Sequence, residues 1–242
     1  IIDCNGTGIN VTSTGKTFSI TDGCLVVLNA GTNGVWAPYG ILNVDGAELR
    51  AQGTWISVSC GSLNMNNTQI IAPEGAYYSG VYVWKHDEQD NEIQVSGEYV
   101  VIAPIKYDLW VADVQVTSLN ADHITGEGIT GNVYYDSSNN ELYLENASIS
   151  GDFSYGIETE MDALFIYLSG ENSIQNGTFW GDGIRIGSDY TVITSLDNGS
   201  LSIEADYGIF NQSGTTLSVI DCSIDILADN AGVNLSNGGT LS

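Results

Sequence analysis

The chain has 242 residues, 43% of them apolar and 14% charged, and its 30 acids against 5 bases give a formal net charge of −25. That charge excludes partners that are themselves anionic, such as nucleic acid or an acidic membrane surface, and suits neutral partners and cations. The acids are scattered singly among frequent Tyr, Ile, Leu and Val, so the chain is not an acidic disordered one, and its longest apolar run, Tyr99–Ile105, is far too short for membrane insertion.

Twenty-nine glycines, three prolines and abundant Ser, Thr, Asn and Asp punctuate short apolar runs, an all-β signature with many turns. In chain order, a Gly–Ile or Gly–Val pair opens a strand at Gly8-Ile9 and Gly34-Val35, with Trp55-Ile56 in the third place and Gly80-Val81 in the fourth. The strand that follows begins at Phe18, Ile41, Leu63 and Ile93, at spacings of 23, 22 and 30 residues, the longest holding the polar insertion His86–Glu92. The pattern breaks at Lys106. Leu109–Val116 reads as a strand or tight hairpin, and Val133–Tyr135 with Glu141–Leu144 flank a polar loop as a second hairpin. The pairs return at Gly156-Ile157, Gly183-Ile184, Gly208-Ile209 and Gly232-Val233, spaced by 27, 25 and 24 residues. One strand–turn–strand unit recurs almost a chain length apart, with Phe18, Ile20, Leu25 and Val27 matching Leu217, Val219, Ile224 and Ile226.

A helix-free period of this length matches one coil of a parallel β-helix. Alternation within each strand sends Val, Ile and Leu inward and polar residues outward. The expected fold is all-β, a right-handed parallel β-helix (solenoid) in two modules with a β-hairpin cap segment between them. The first module spans 1–105. The second spans 106–242, with cap hairpins over 106–150 covering the open end of coils over 151–242. The opening of the first module matches Ser148–Ile157, which follows the cap in the second, so the first module's own cap is expected to be missing. A start at Ile1 and a stop in mid-coil lead us to expect a monomeric fragment of a larger exported protein. Cys4, Cys24, Cys60 and Cys222 form no metal or redox spacing and are read as small, buried and unpaired.

Tyr107-Asp-Leu-Trp-Val111, Val116-Thr-Ser118, Tyr135-Asp136 through Leu142-Tyr-Leu144 and the Gly–Ile coils that follow resemble the repeat module of large bacterial cell-surface proteins. They also resemble the bacterial carbohydrate-binding β-helix family. The resemblance covers about 106–242, and the first half shares only the coils. It implies an extracellular or cell-surface location and binding of polysaccharide and calcium. No ligand residue of that family is matched one by one, so none is carried over.

The residues themselves offer three chemistries. If Val35, Ile56, Val81 and Val83 face inward, then Trp36, Trp55, Tyr82 and Trp84 face outward on consecutive coils. Flat aromatic rings stack on the apolar faces of sugars while neighbouring Asp, Asn and Tyr bond the hydroxyls. The bland alternative is that the insertion His86–Glu92, or Tyr77-Tyr78, folds over the strip. Trp110 and Trp180 read as packing at a cap and a coil junction.

The second chemistry is calcium. Asp22, Asp45 and Asn67 are read as one stacked turn slot, which suits turn geometry and offers, between stacked carboxylates, a place for Ca2+. Asp87 and Asp90 of the acidic insertion are the other candidate ligands, although the spacing is not that of an EF-hand. The third is catalysis by a calcium-dependent polysaccharide lyase or hydrolase. Arg185 is its best-placed base, but a lone strand arginine is more often solvated, and some carboxylate pair will arise by chance among thirty acids. The favoured expectation is a non-catalytic, adhesin-like surface protein that binds polysaccharide or a host glycan, or serves as a rigid spacer, with no cofactor required.

Overall fold

The computed structural model describes residues 1–212, 214–236 and 239–242. Among these it holds strands and turns and no helix, in stacked parallel coils that form a β-solenoid of about ten turns. The chain divides into two compact units, Ile1–Ile105 and Lys106–Ser242.

Unit 1 begins with β1 (Ile2–Asp3), β2 (Ile9–Asn10), β3 (Thr17–Ile20), β4 (Cys24–Ala30), β5 (Asn33–Asp45), β6 (Glu48–Gly53) and β7 (Ile56–Asn66). These stack in parallel columns: β1, β4 and β6 in one, β2 with the first halves of β5 and β7 in a second, and β3 with their second halves in a third. Strict alternation puts Val27, Val35, Leu42, Val44, Leu49 and Val58 inside, all buried. Ile9 lies on Val35 as the repeat requires, but Val35 lies on Val58, so Ser57-Val58 takes the place expected for Trp55-Ile56. The corner ahead of it belongs to Gly53, where a Cβ would sit 2.7 Å from the Asn33 carbonyl carbon. Trp55 is thereby left in the turn before β7.

The expected fourth coil is not a coil. β8 (Gln69–Ala72), β9 (Tyr77–Ser79), β10 (Tyr82–His86), β11 (Glu92–Gln94) and β12 (Val100–Ala103) complete the unit. Gly80 has φ +66° and turns the chain back between β9 and β10, a conformation glycine adopts without cost. β10 runs antiparallel to β7, β9 and β11. β12 inserts between β6 and β8, antiparallel to both. Val83, Val95, Val100 and Ile102 from this segment join the same core cluster as the coils.

Unit 2 opens with two antiparallel hairpins: β13 (Lys106–Val111) with β14 (Val114–Thr117), and β15 (Ile129–Asp136) with β16 (Glu141–Gly151). Leu109, Val111, Val116, Ile124 and Val133 bring their apolar faces to the core of the coils. The coils begin earlier than expected, with β16 itself, which runs parallel to β18 and β19 and so belongs to the stack rather than to the cap; they continue through β17 (Tyr155–Thr159), β18 (Ala163–Ser169), β19 (Glu171–Asn176), β20 (Asp182–Ile186), β21 (Tyr190–Ser195), β22 (Ser200–Asn211), β23 (Thr216–Ile220), β24 (Ser223–Leu235) and β25 (Thr240–Leu241). Ile157, Ile184, Ile209 and Val233 stack in register, as the Gly–Ile spacing requires. Ahead of Ile157, Ile184 and Ile209 the glycine is steric in origin. A Cβ on Gly156 would lie 2.5 Å from both Gly183 O and Ile174 Cγ2, so the column closes only where the side chain is hydrogen. The two segments matched in the sequence, 18–30 and 217–229, are both strand–turn–strand and turn their matched residues into their own cores.

Candidate functional site

On the outer face of unit 1, Trp36, Ser59 and Tyr82 are level across three adjacent strands, with Asn10 beyond Trp36. Tyr82, Trp84 and His86 alternate onto that face from β10, where Tyr77 of β9 and Gln94 of β11 flank Trp84. Adjacent strands lie about 4.8 Å apart, so the strands bearing Trp36 and Tyr82 are roughly 10 Å apart with Ser59 between them. The Tyr82 and Trp84 rings meet edge to face at 6.2 Å, and Tyr77 lies 5.9 Å from His86. Trp84 Nε1 donates to Ser79 O at 3.1 Å, and Tyr77 Oη donates to the Glu92 carboxylate. Trp36, Tyr77, Tyr82 and Trp84 are half-buried. Ser59 is wholly buried beneath them, and its Oγ has no hydrogen-bond partner.

Three of the four expected aromatic residues therefore share a surface. Trp55 does not join it. It stands in its turn, 67% exposed, because the register runs Trp36 to Ser59 rather than to the residue beside Ile56. The insertion extends the sheet in its own plane through the β10–β11 pairing. Tyr78 faces the other way and donates from Oη to Cys60 O and Gly80 O, both at 2.9 Å.

The turn acids are not stacked as expected. Ile20 pairs with Val44 and Cys24 with Glu48, a constant offset that sets Asp22 level with Gly46, while Asp45 pairs with Asn66. The left-handed turn residues are Gly23, Gly46 and Asn67, and these fall one place away from the acids. Asp87 is occupied within its own loop. Its Oδ1 accepts from Gln89 N and Asn91 N, both at 2.9 Å, and these bonds, chiefly with Asn91, hold its carboxyl below the usual range. Asp90 sits beside it in the left-handed region at φ +65°. Among the described residues, no three His, Cys, Asp or Glu side chains group as a metal site. The cysteines are unpaired, but of the four only Cys60 is buried: Cys4 and Cys222 are half-buried, and Cys24 is exposed at the outward-facing start of β4.

Arg185 of unit 2 is held on several sides. Its Nη1 donates to Tyr155 Oη at 3.0 Å, its guanidinium lies 4.7 Å from the Tyr155 ring centre and 5.6 Å from that of Phe210, and Glu158 and Asp182 approach at 3.7 and 3.8 Å. Turned with its oxygen inward, the Gln212 amide accepts from Nε and Nη2. Burial, against the pull of Arg185, pushes the Asp182 carboxyl up to about 6.

Unit 2 carries two aromatic features that sequence reasoning missed. Tyr134, Tyr143 and Tyr167 stack along the coils at 4.5 and 5.1 Å with nearly parallel rings, so both faces of the middle ring, Tyr143, are covered by its neighbours. Strand pairing brings them together from distant positions, and no local pattern announces it. Trp180 is not coil-junction packing: it is 60% exposed and Phe179 beside it 76%. The longer 27-residue spacing around them was the available signal. Comparison of the chain with protein-family models, with curated proteins and with solved structures finds no match.

Proposed function

We propose that this chain is a non-catalytic β-solenoid of an extracellular or cell-surface protein, and that it binds polysaccharide on the outer face of unit 1. The observation that carries the reading is the shared surface of Trp36, Tyr82, Trp84 and Tyr77 on adjacent strands. Aromatic surface of this kind supplies the apolar contact that sugar ring faces seek. Asn10, Gln94 and Glu92 rim the strip with groups that bond hydroxyls. The acidic chain suits a neutral glycan over a uronic one. The pinned guanidinium of Arg185 favours a structural role there over that of a lyase base.

A pull-down on insoluble polysaccharides and a glycan array test the reading. Trp36→Ala and Trp84→Ala are each expected to weaken binding about tenfold or more, the range for truncating an aromatic anchor. Trp55→Ala, off the strip, changes it by less than about twofold. Binding indifferent to Trp36 and Trp84, or no binding to any glycan, leaves the rigid-spacer reading in its place.

A further inference from the structure

The coil from Gly156 to Gly183 is longer than the two after it, and the excess lies in the loop between β19 and β20. Four of the five residues of this loop are tied through their backbone N–H groups. Gly177 N donates to Gly151 O (3.0 Å), Thr178 N to Asn176 Oδ1 (3.0 Å), Gly181 N to Thr178 O (2.9 Å) and Trp180 N to the buried Asp206 carboxylate (2.7 Å). Trp180 is held at φ +66°, an outlier for so bulky a residue. The fold thus keeps Phe179 and Trp180 out in solvent on a fixed backbone. Trp180 stacks on Tyr207 at 6.1 Å, and Phe179 meets Trp180 edge-on at 5.0 Å.

Beside this pair lies a cavity of about 330 Å3 between Phe179 and the 69%-exposed Leu227, with Glu204, Asp206 and Asp229 on its walls. It shares Asn176, Gly177 and Glu204 with a second cavity of about 360 Å3, which shares Ser150, Gly151 and Asp152 with a third of about 440 Å3 bounded by Asp113 and Glu127. Together they form a trough across the coils of unit 2. Among the described residues, no Lys, Arg or His lines any of its three parts.

We propose that this trough binds an extended cationic glycan, a chain of sugars bearing protonated amino groups. Apolar walls at Phe179 and Leu227 suit the faces of sugar rings, and the aromatic pair attracts a cation placed over it. Carboxylates on successive coils supply the complementary charge along the path. A basic peptide is less well served. Extended peptides dock by adding a strand to a free edge, and here the floor's backbone is already paired, as in Gly151 with Asn176. The trough lies wholly within unit 2 and is independent of the strip in unit 1.

Calorimetric titration of the full chain with a glucosamine hexamer, its N-acetylated counterpart and a hexalysine tests the proposal. The amino oligomer is expected to bind at least about tenfold more tightly than either of the others, and to weaken with added salt as ion pairing requires. Phe179→Ala and Glu204→Gln are each expected to weaken it about fivefold or more. Trp180→Gly removes the ring and the backbone strain together, so it is expected to lose affinity while melting no lower than the parent chain. Equal binding of the acetylated oligomer, tighter binding of hexalysine, no binding at all, or full affinity in the Phe179 and Glu204 variants would overturn it.

Discussion

Gly183→Ala tests the steric reason for the glycine column. A methyl group there would lie 2.6 Å from Gly208 O and closer still to Ile203 Cγ2. Neither neighbour can retreat easily, because Ile203 is buried and Gly208 opens the Ile209 segment that pairs directly with Ile184. Overpacking of this kind costs about 1–3 kcal/mol when side chains can shift and more when backbone must, so about 3 kcal/mol is expected. Spread over a unit the size of Lys106–Ser242, that lowers its melting temperature by about 10 °C, from roughly 2.1 cal/mol/K of unfolding entropy per residue. Gly232→Ala is the matched control. It occupies the same slot before Val233, but the nearest atom to its added methyl is Ile226 Cγ2 at 3.8 Å, an ordinary contact. A change within about 0.5 kcal/mol is expected there, the usual range for a substitution that touches nothing. Urea titration read by hydrogen exchange, peptide by peptide, reports the two units separately. A Gly183→Ala variant within about 0.5 kcal/mol of the parent, or two variants equally affected, would refute the steric account.

The remaining predictions concern unit 2. Asp182 titrates near 6 in the folded chain against 3.8 in the unfolded, so the folded state holds its proton more tightly; stability is highest below the lower value and falls as pH rises through the upper one. Asp182→Asn is therefore expected to be more stable than the parent at pH 8 by up to about 3 kcal/mol, the advantage vanishing near pH 3, as denaturant melts at the two pH values will show. Tyr143 stacks on two neighbours and donates from Oη to Glu141 Oε2 at 2.6 Å. Tyr143→Ala is expected to cost about 2–4 kcal/mol, and Tyr143→Phe, which keeps the rings, under about 1 kcal/mol, measured by the same denaturation.

The second unit was the more legible in sequence because its Gly–Ile slots at 156, 183 and 208 are constrained twice, by the missing Cβ and by the inward isoleucine. In the first unit Trp55-Ile56 imitates that pair. Only the three-dimensional corner at Gly53 shows that Val58 takes the core place. Gly80-Val81 fits the repeat equally well by composition, but its glycine serves a hairpin turn, and strand direction leaves no mark on residue type. The aromatic strip was recoverable in part, since Trp36, Tyr82 and Trp84 follow from alternation alone. Tyr77 and the buried Ser59 needed cross-strand register. Asp22 and Asp45 were misaligned by a single residue, enough to separate two side chains that a period count places together. The exposure of Trp180 runs against the ordinary burial of large rings, and that rule fails where a loop is held in place by groups distant in sequence such as Asp206.

The reversed strand β12 has a consequence for how unit 1 can change its length. A solenoid grows by copying: each coil offers the next an edge of the same polarity, so a duplicated coil stacks on its parent without altering either neighbour. Between β6 and β8 that copying rule is cancelled, because β12 presents an antiparallel edge on both sides. Coils can be added or removed anywhere between β1 and β6 and still find a matching edge, while the segment from β8 onward fits only as a single closing piece. Insertion of one extra coil ahead of β6 should lengthen the unit and carry the aromatic strip's β9–β11 half along intact, whereas the same insertion after β8 has nothing to stack upon. The unit thus has one modular end and one end of fixed composition.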